Sequence, residues 1–253
     1  AYMESHDEER LMYKNHVYGN SSGAYNIRNL NTSLERIAQA ACFFIPLPSA
    51  KMIWQFGELG YDYSISYCQN GTINTNCKTD AKPIHWDYYD NPQRWRLFEV
   101  FRKLNYLKTS YPVFRDLNHF YDLASYGKVL RFSGNELNAV ILGNFNVSSE
   151  QIYPGFQSSG KWYDYLTGDS ITVSDPNAAL TFAPGEYRVY LNKRVIAPSN
   201  TLPGGPTGIA DPDHVAANVY PNPFSTWVHF YLPGAERGHI DLLIADLSGK
   251  LVR

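Results

Sequence analysis

Apolar side chains recur at helical spacing over residues 32–45, where they fall three or four positions apart. Thr32 and Glu35 form a capping-box pattern, in which a threonine and a glutamate three residues later satisfy two free backbone N–H groups. Pro46 and Pro48 follow, and proline cannot continue a helix. The pattern therefore predicts an amphipathic helix over 32–45 with Thr32 as its N-cap.

Two apolar runs and a second helical stripe complete the first part of the chain. The run KMIWQFG predicts a buried strand that ends at Gly57, and residues 2–5 are read as the end of another strand. A second helix is predicted to start at Asn91 and Pro92. Its buried stripe comprises Leu97, Val100, Phe101, Leu104 and Leu107.

The resulting order, strand, helix, strand, helix, is typical of βα units in a parallel sheet. About eight such units are needed to close a (β/α)8 TIM barrel, whereas this order supplies two. We therefore expect residues 1–114 to be the last two units of a barrel, with the other units before residue 1.

From about residue 115 the pattern changes to short alternating runs separated by turn residues. These runs predict an antiparallel β-sandwich over 115–197. Residues 198–212 are rich in proline and glycine and have no apolar periodicity, which indicates a linker. Alternating runs return over 213–253 and stop in mid-pattern, so a partial β domain is expected there. The predicted fold class is α/β followed by all-β.

Composition narrows the classes of function. A formal net charge of -2 provides no field that would attract nucleic acid or anionic lipid, and no apolar run reaches the roughly 20 residues of a transmembrane helix. The sequence also has no G-x-S-x-G, P-loop or G-x-G-x-x-G motif. The 20 tyrosines, 5 tryptophans and 13 phenylalanines weakly favour a carbohydrate-binding surface, because aromatic rings stack on sugars.

The cysteines favour an oxidising compartment. Cys68 and Cys77 flank a polar loop, with no nearby histidine or second cysteine pair to complete a zinc site, so a disulfide between them is favoured. Disulfides persist outside the reducing cytosol. Cys42 lies among apolar residues of the first predicted helix and is expected to be a buried thiol.

The segment MESHDEERL, which begins at Met3, concentrates charge at the end of the first predicted strand. If a barrel strand ends at Ser5, His6 and Asp7 lie on the loop where barrel enzymes place their active residues. The alternative is that the charged residues Glu4, Glu8, Glu9 and Arg10 form a solvated turn. A metal site is disfavoured, because successive side chains cannot all point at one ion without an irregular loop.

Two further residues follow predicted strands or precede the second helix. Glu58 lies at the end of the second strand, where it is either a loop or helix-capping carboxylate or a catalytic group. Trp86 and Asp87 lie just before the second helix, where Trp86 provides either a stacking platform for a ligand or ordinary loop packing.

Three segments together resemble the α-amylase family, glycoside hydrolase family 13. YMESHDEER is similar to the family's last catalytic segment after barrel strand seven, and KMIWQFGELGYD to strand eight and its loop. KPIHWDYYDNPQRWRLFEVFRKLNYLKTSYPVF is similar to the region of the eighth helix, and 115–197 stands in the place of the family's C-terminal β-sandwich.

The resemblance assigns roles to two residues. It implies that Asp7 holds the hydroxyls of the sugar at the cleavage position and stabilises the oxocarbenium-like transition state, and that His6 is a sugar contact. In this family the nucleophile and the general acid come from strands four and five, which would precede residue 1. Glu58 matches neither role. Calcium is common in the family, but its usual ligands come from earlier in the chain, so no metal residue is assigned.

A second resemblance concerns the end of the chain. NVYPNPF, after the proline- and glycine-rich linker, looks like the start of a type IX secretion C-terminal sorting domain of Bacteroidetes, which implies secretion or display on the outer cell surface. The expected function is therefore part of a secreted, retaining α-amylase-like hydrolase of starch-like glucans, inactive as this fragment alone. The alternatives are a non-catalytic glucan-binding surface protein and a transglycosidase of the same family.

Overall fold

The computed structural model describes residues 1–117 and 119–198, together with the backbone of 218–220 and 229–231. The α-helices in this part of the chain are α1 (Leu11–Tyr18), α2 (Leu30–Phe44) and α3 (Pro92–Ser110), and short 3-10 helices span Gly57–Leu59, Thr75–Cys77, Trp86–Asp90 and Pro112–Phe114. The strands are β1 (Ser21–Ser22), β2 (Tyr25–Asn26), β3 (His119–Asp122), β4 (Gly127–Phe132), β5 (Ala139–Asn144), β6 (Glu150–Ile152), β7 (Gly160–Asp164), β8 (Ser170–Val173), β9 (Leu180–Phe182), β10 (Tyr187–Leu191), β11 (Asn218–Tyr220) and β12 (His229–Tyr231).

Helix α2 confirms the predicted helix but corrects its N-cap. The helix begins at Leu30, with Asn29 as the N-cap, so the assignment of Thr32 to that position is wrong. Glu35 does not bond back to the first turn, because its carboxylate is held elsewhere: it accepts a hydrogen bond from the Tyr187 hydroxyl at 2.8 Å and pairs with Arg96 at 3.1 Å.

Helix α3 begins where the sequence predicts. The Asn91 side-chain oxygen accepts hydrogen bonds from the backbone N–H groups of Gln93 at 3.0 Å and Arg94 at 3.2 Å, which caps the helix, and Pro92 occupies its first position. The predicted stripe is buried in full: Leu97, Val100, Phe101, Leu104 and Leu107.

Neither the strand predicted over residues 51–57 nor the strand end read at residues 2–5 is formed. Only Met52 pairs, through a single parallel bridge to Tyr2, and Met52 and Ile53 remain 39% and 38% exposed. One bridge supplies too few backbone hydrogen bonds to hold an extended segment as a strand. The two segments nevertheless run parallel and side by side at this point, as expected for consecutive βα units.

The β region is built around a six-stranded sheet in the order β3-β4-β5-β10-β7-β8, and all its neighbouring strands are antiparallel. Strands β6 and β9 form a separate antiparallel pair. Every residue of β5 is buried, which shows that the centre of the sheet is covered on both faces.

The sheet separates two hydrophobic cores. On one face Leu130, Ile141 and Val189 pack with residues of α2 and α3. On the other face Val140 and Leu142 pack with Ile152 of β6 and other apolar residues. Helices, the large sheet and the β6–β9 pair thus form successive layers.

Helix and sheet approach most closely where the sheet carries a glycine. Gly143 of β5 lies against the ring of Phe43 in α2, and a Cβ atom at position 143 would stand 2.7 Å from Phe43 Cε2. Nearby, the Gln39 side chain of α2 donates a hydrogen bond to the Asn144 carbonyl at 2.8 Å. Side-chain packing and hydrogen bonds therefore fix α2 on this face of the sheet.

Residues 1–198 form one compact unit, and residues 199–253 belong to a second unit. The division at residue 115 into barrel and sandwich stays a prediction. Residues from both sides of it contribute to one hydrophobic core. In the second unit the described residues are β11 and β12, which pair antiparallel. The predicted linker after residue 198 and most of the predicted sorting domain lie outside the described residues.

Candidate active site

The bridge between Tyr2 and Met52 sets the geometry of the candidate site. It aligns two segments so that residues 3–10 and 53–61 both follow the bridge in the same direction. Backbone hydrogen bonds reinforce the alignment, from the Ala1 amine to the Ala50 carbonyl at 2.9 Å and from the Met52 N–H to the Ala1 carbonyl at 3.0 Å. Side chains that follow the two segments consequently meet at one edge.

His6 and Asp7 lie on an exposed turn at this edge. His6 Nε2 lies 3.0 Å from Asp7 Oδ2, and the two side chains are 70% and 78% exposed. The Ser5 hydroxyl accepts a hydrogen bond from the Asp7 N–H at 3.2 Å, and its carbonyl accepts one from the Glu8 N–H at 3.3 Å. The turn therefore presents an imidazole and a carboxylate side by side to solvent.

The residues on either side of this turn, Glu4 and Arg10, form a buried ion pair, which contradicts the solvated-turn alternative for these two residues. Arg10 Nη1 lies 3.1 Å from Glu4 Oε1 and donates to the Gln55 carbonyl at 3.0 Å. The other Glu4 oxygen accepts a hydrogen bond from the Leu11 N–H at 2.9 Å, at the start of α1. Burial lowers the pKa of the Arg10 guanidinium, and the adjacent Glu4 carboxylate opposes that shift.

Glu9 also has a structural role, which its position in a run of charged residues does not reveal. Its carboxylate accepts hydrogen bonds from the Ser64 hydroxyl at 2.6 Å and from the Ile65 N–H at 2.9 Å. Glu8 is exposed, as expected of a loop charge. Glu9 thus ties the His6–Asp7 turn to the segment that leads to the disulfide loop.

A row of aromatic side chains extends from the turn. The His6 ring lies 5.9 Å from the ring of Trp54, and the Arg10 guanidinium lies over Trp54 at 5.6 Å and over Tyr61 at 4.7 Å. Phe56 stacks on Tyr61 at 5.9 Å and meets Trp86 edge-on at 4.9 Å. We call Trp54, Phe56, Tyr61 and Trp86 the aromatic ledge.

Successive ring contacts, with the Arg10 guanidinium between Trp54 and Tyr61, connect His6 to Trp86. The last ring of the ledge is exposed. Trp86 is 73% exposed, whereas Phe56 and Tyr61 are buried. Phe56 has a φ of 57°, a left-handed conformation that is unusual for a bulky residue. Trp54 was missed from the sequence, because it lies inside the apolar run KMIWQFG, which was read as a buried strand.

Glu58 lies close to the ion pair but is not paired with Arg10. Burial raises the pKa of the Glu58 carboxyl, hydrogen bonding to backbone opposes the shift, and the Glu4 charge adds to it. The carboxyl lines a cleft of about 470 Å³ with Gln55 and Phe98 among its other walls. Glu58 belongs to the single 3-10 turn Gly57–Leu59, on the flank of the site.

The disulfide between Cys68 and Cys77 is present, and Cys42 is a buried free thiol, so both predictions are confirmed. Lys82 closes the disulfide loop by donating hydrogen bonds to the carbonyls of Tyr67 at 2.9 Å and Cys77 at 2.6 Å. The loop is therefore held by the disulfide bond and by these two hydrogen bonds.

The described residues hold neither a metal-binding cluster nor a membrane-spanning helix. Residues 1–117 and 119–198 contain no group of three or more histidine, cysteine, aspartate or glutamate side chains arranged to hold a metal ion. Among the described helices, none has the length and apolarity to cross a membrane.

Comparison with known proteins gives matches in structure alone. No family model and no curated protein matches the sequence. A crystal structure of AmyP in complex with maltose has a TM-score of 0.55 at 13% identity, covering 75% of this chain and 40% of that chain. The trehalose-6-phosphate hydrolase of Bacillus licheniformis has a TM-score of 0.52 at 15% identity, covering 75% of this chain and 42% of that chain. The α-amylase of Geobacillus thermoleovorans, complexed with acarbose, has a TM-score of 0.51 at 13% identity, covering 77% of this chain and 39% of that chain.

The chain thus spans about two fifths of the length of these three structures. Identities this low establish a likeness of fold. The described fold, mixed α/β with a six-stranded antiparallel sheet, resembles part of the α-amylase-family glycoside hydrolases over about three quarters of this chain.

Proposed function

We propose that this chain is part of a secreted α-amylase-like glycoside hydrolase that cleaves α-glucosidic bonds in starch-like glucans with retention of configuration. The observation that supports it is the exposed His6–Asp7 pair, which follows one of two parallel bridged segments and contacts Trp54 at the start of the aromatic ledge. A carboxylate, an imidazole and an aromatic face are the groups with which a protein grips a sugar ring.

In this proposal Asp7 stabilises the transition state. Its carboxylate accepts hydrogen bonds from sugar hydroxyls, and these bonds strengthen as the ring flattens toward the oxocarbenium ion. His6 supplies a neighbouring sugar contact. Trp86, the exposed ring at the far end of the ledge, provides a stacking surface for a more distant sugar unit.

Asp7 is neither nucleophile nor general acid in this proposal. Retaining hydrolysis needs two further carboxyl groups about 5 Å apart on either side of the bond. The proposal accordingly assigns binding to the present residues and expects no hydrolysis by the 253-residue chain alone.

The test measures binding of maltotriose by the indole N–H signals of Trp54 and Trp86 in NMR spectra. We expect both signals to shift on titration, and Asp7→Asn to weaken binding roughly tenfold or more, because hydrogen bonds to a charged group contribute about 1.5–3 kcal/mol. Glu8→Gln, one residue away and also exposed, is the matched control and should bind as the wild type does. Unshifted indole signals, or equal losses in the two variants, would refute the proposal.

Export through a C-terminal sorting domain belongs to the same proposal. The disulfide between Cys68 and Cys77 supports it, because such bonds persist in oxidising compartments. Fusion of residues 198–253 to a reporter protein, followed by fractionation of a Bacteroidetes host, tests it. Retention of the reporter inside the cell would contradict it, provided that an established sorting domain exports the same reporter.

A further inference from the structure

A second cleft, of about 560 Å³, lies between the helices and the sheet. Its walls come from the N-terminal half of α2, the middle of α3, the turn after β7 and the residues at the start of β10. It shares no lining residue with the His6–Asp7 turn or the aromatic ledge. The volume lies within the ~300–1,000 Å³ range that is usual for small-molecule sites.

One wall is a network of donors and acceptors around Glu35. The Tyr187 hydroxyl donates to Glu35 Oε2 at 2.8 Å, and Arg96 Nε lies 3.1 Å from Glu35 Oε1. The side chains of Arg96 and Glu35 are 71% and 40% exposed, so both reach solvent. Free N–H groups of the guanidinium and the second lone pairs of the carboxylate remain for a ligand.

The opposite wall carries a second network. Arg188 lies between two carboxylates, with Nη2 2.6 Å from Glu186 Oε1 and Nε 3.5 Å from Asp164 Oδ2. The Asp164 side chain is 3% exposed and also accepts hydrogen bonds from the Leu166 N–H at 3.1 Å and the Thr167 hydroxyl at 3.2 Å. These bonds fix the groups of this wall in place before any ligand binds.

A tyrosine ring completes the cleft. Tyr25 lies against Gly185, whose φ of 71° and lack of a Cβ allow the tyrosine hydroxyl to approach the backbone closely. The guanidinium of Arg36 lies over this ring, 5.3 Å from its centre. The ring is thereby held at the cleft and supplies its aromatic surface.

The charges in the cleft nearly cancel, since four carboxylates face three cations. A strong anion or cation would break existing ion pairs to bind there. A neutral ligand with several hydroxyl groups can instead bridge the donors and acceptors while one face rests on the tyrosine ring. We propose that this cleft binds a short neutral oligosaccharide at a second site, separate from the His6–Asp7 turn.

The experiment is an NMR titration of the full 253-residue chain with maltotriose and, separately, with cellotriose. The backbone N–H signals of Thr167 and Gly185 report on the cleft, while the indole signals of Trp54 and Trp86 report on the ledge. We expect at least one of the two sugars to shift the cleft signals in a saturable manner. If neither sugar shifts them, the proposal is overturned.

The two proposals fail separately. Shifts at Thr167 and Gly185 without shifts at Trp54 and Trp86 would support the second site and contradict the proposed function, and the reverse pattern would do the opposite. The choice of maltotriose rests on the proposed function, whereas cellotriose tests the cleft without it.

Variants of cleft residues test whether the NMR shifts at Thr167 and Gly185 arise from binding in the cleft. Glu35→Ala should weaken the binding reported by Thr167 and Gly185 about tenfold, and Glu136→Ala, an exposed carboxylate outside both sites, should not. If Glu35→Ala does not fold, Asn31→Trp, at an exposed position on the first turn of α2, blocks the cleft without removing the network. Wild-type binding by a folded cleft variant would overturn the proposal.

Discussion

Arg10 Nη1 lies 3.1 Å from Glu4 Oε1, and the two side chains are only 2% and 9% exposed. The two members of this buried pair flank the exposed His6–Asp7 pair in the sequence. Its members connect the turn to the Gln55 carbonyl on one side and to the start of α1 on the other. The orientation of the exposed pair therefore depends on a charge pair that solvent does not reach.

We expect Arg10→Leu to lower the free energy of unfolding by about 3–5 kcal/mol, because it leaves the Glu4 carboxylate buried without its partner. Urea denaturation followed by circular dichroism measures the change. Arg96→Leu is the control, since the Arg96–Glu35 pair is largely exposed and such pairs contribute below about 1 kcal/mol. Similar losses in the two variants would argue against a structural role for the buried pair.

Gly60→Ala and Gly71→Ala form a second matched comparison. Both glycines have positive φ, 67° and 84°, so alanine costs about 1–2 kcal/mol at either position. At Gly60 the added Cβ would also collide with Leu34 Cδ2 in the core, whereas at Gly71 its nearest neighbour is Tyr67 Oη at 3.7 Å. We expect Gly60→Ala to lose a further ~1–3 kcal/mol from overpacking in urea denaturation. Equal losses would contradict the packing at Gly60.

The three cysteines should differ in reactivity. Burial raises the pKa of the Cys42 thiol well above its ordinary value, and the thiolate is the reactive form. Native protein without reductant should therefore take up no iodoacetamide at about pH 8. Mass spectrometry should show one label after unfolding in urea and three after unfolding with reductant. Labelling of Cys68 or Cys77 without reductant would contradict the disulfide.

Glu58→Gln should change how stability depends on pH. The pKa of Glu58 is raised in the folded state, so the folded protein retains this proton to higher pH than the unfolded chain does. The wild type consequently loses stability as the pH rises from about 4.5 through the raised pKa, and the variant does not.

The difference in unfolding free energy between Glu58→Gln and wild type should therefore grow in favour of the variant from about pH 4 to about pH 7. Urea denaturation across this range, with Glu8→Gln as the control at an exposed position, measures it. A difference that shrinks with rising pH would show that the Glu58 charge is stabilised rather than penalised.

Local signals predicted the parts of the fold whose determinants are local. Helix α3 follows from the Asn91 cap, the proline after it and the apolar stripe, all within one segment. The disulfide follows from two cysteines nine residues apart. By contrast, helix α1 was not predicted, because its apolar residues show almost no helical asymmetry and Met12 is its one buried residue.

The sequence proposes His6, Asp7 and Trp86 as site residues, which stays a prediction, and it does not reveal the buried groups next to the His6–Asp7 turn. Glu4 and Arg10 look like members of a solvated charge run until the fold brings Gln55, Trp54 and Tyr61 around the guanidinium. These partners lie some 44 to 51 positions away from Arg10 along the chain. Spacing within a short motif carries no information on contacts at such separations.

The contact between Gly143 and Phe43 limits what can be exchanged between related chains. Because no side-chain carbon fits at position 143 beneath that ring, a foreign sheet grafted in place of β3 to β10 would need a glycine at the same register, or a smaller residue at position 43. The sheet therefore cannot be replaced by a related sheet without regard to this contact. A chimera that carries a larger residue at position 143 opposite Phe43 should therefore lose stability at this contact, whatever the rest of its interface.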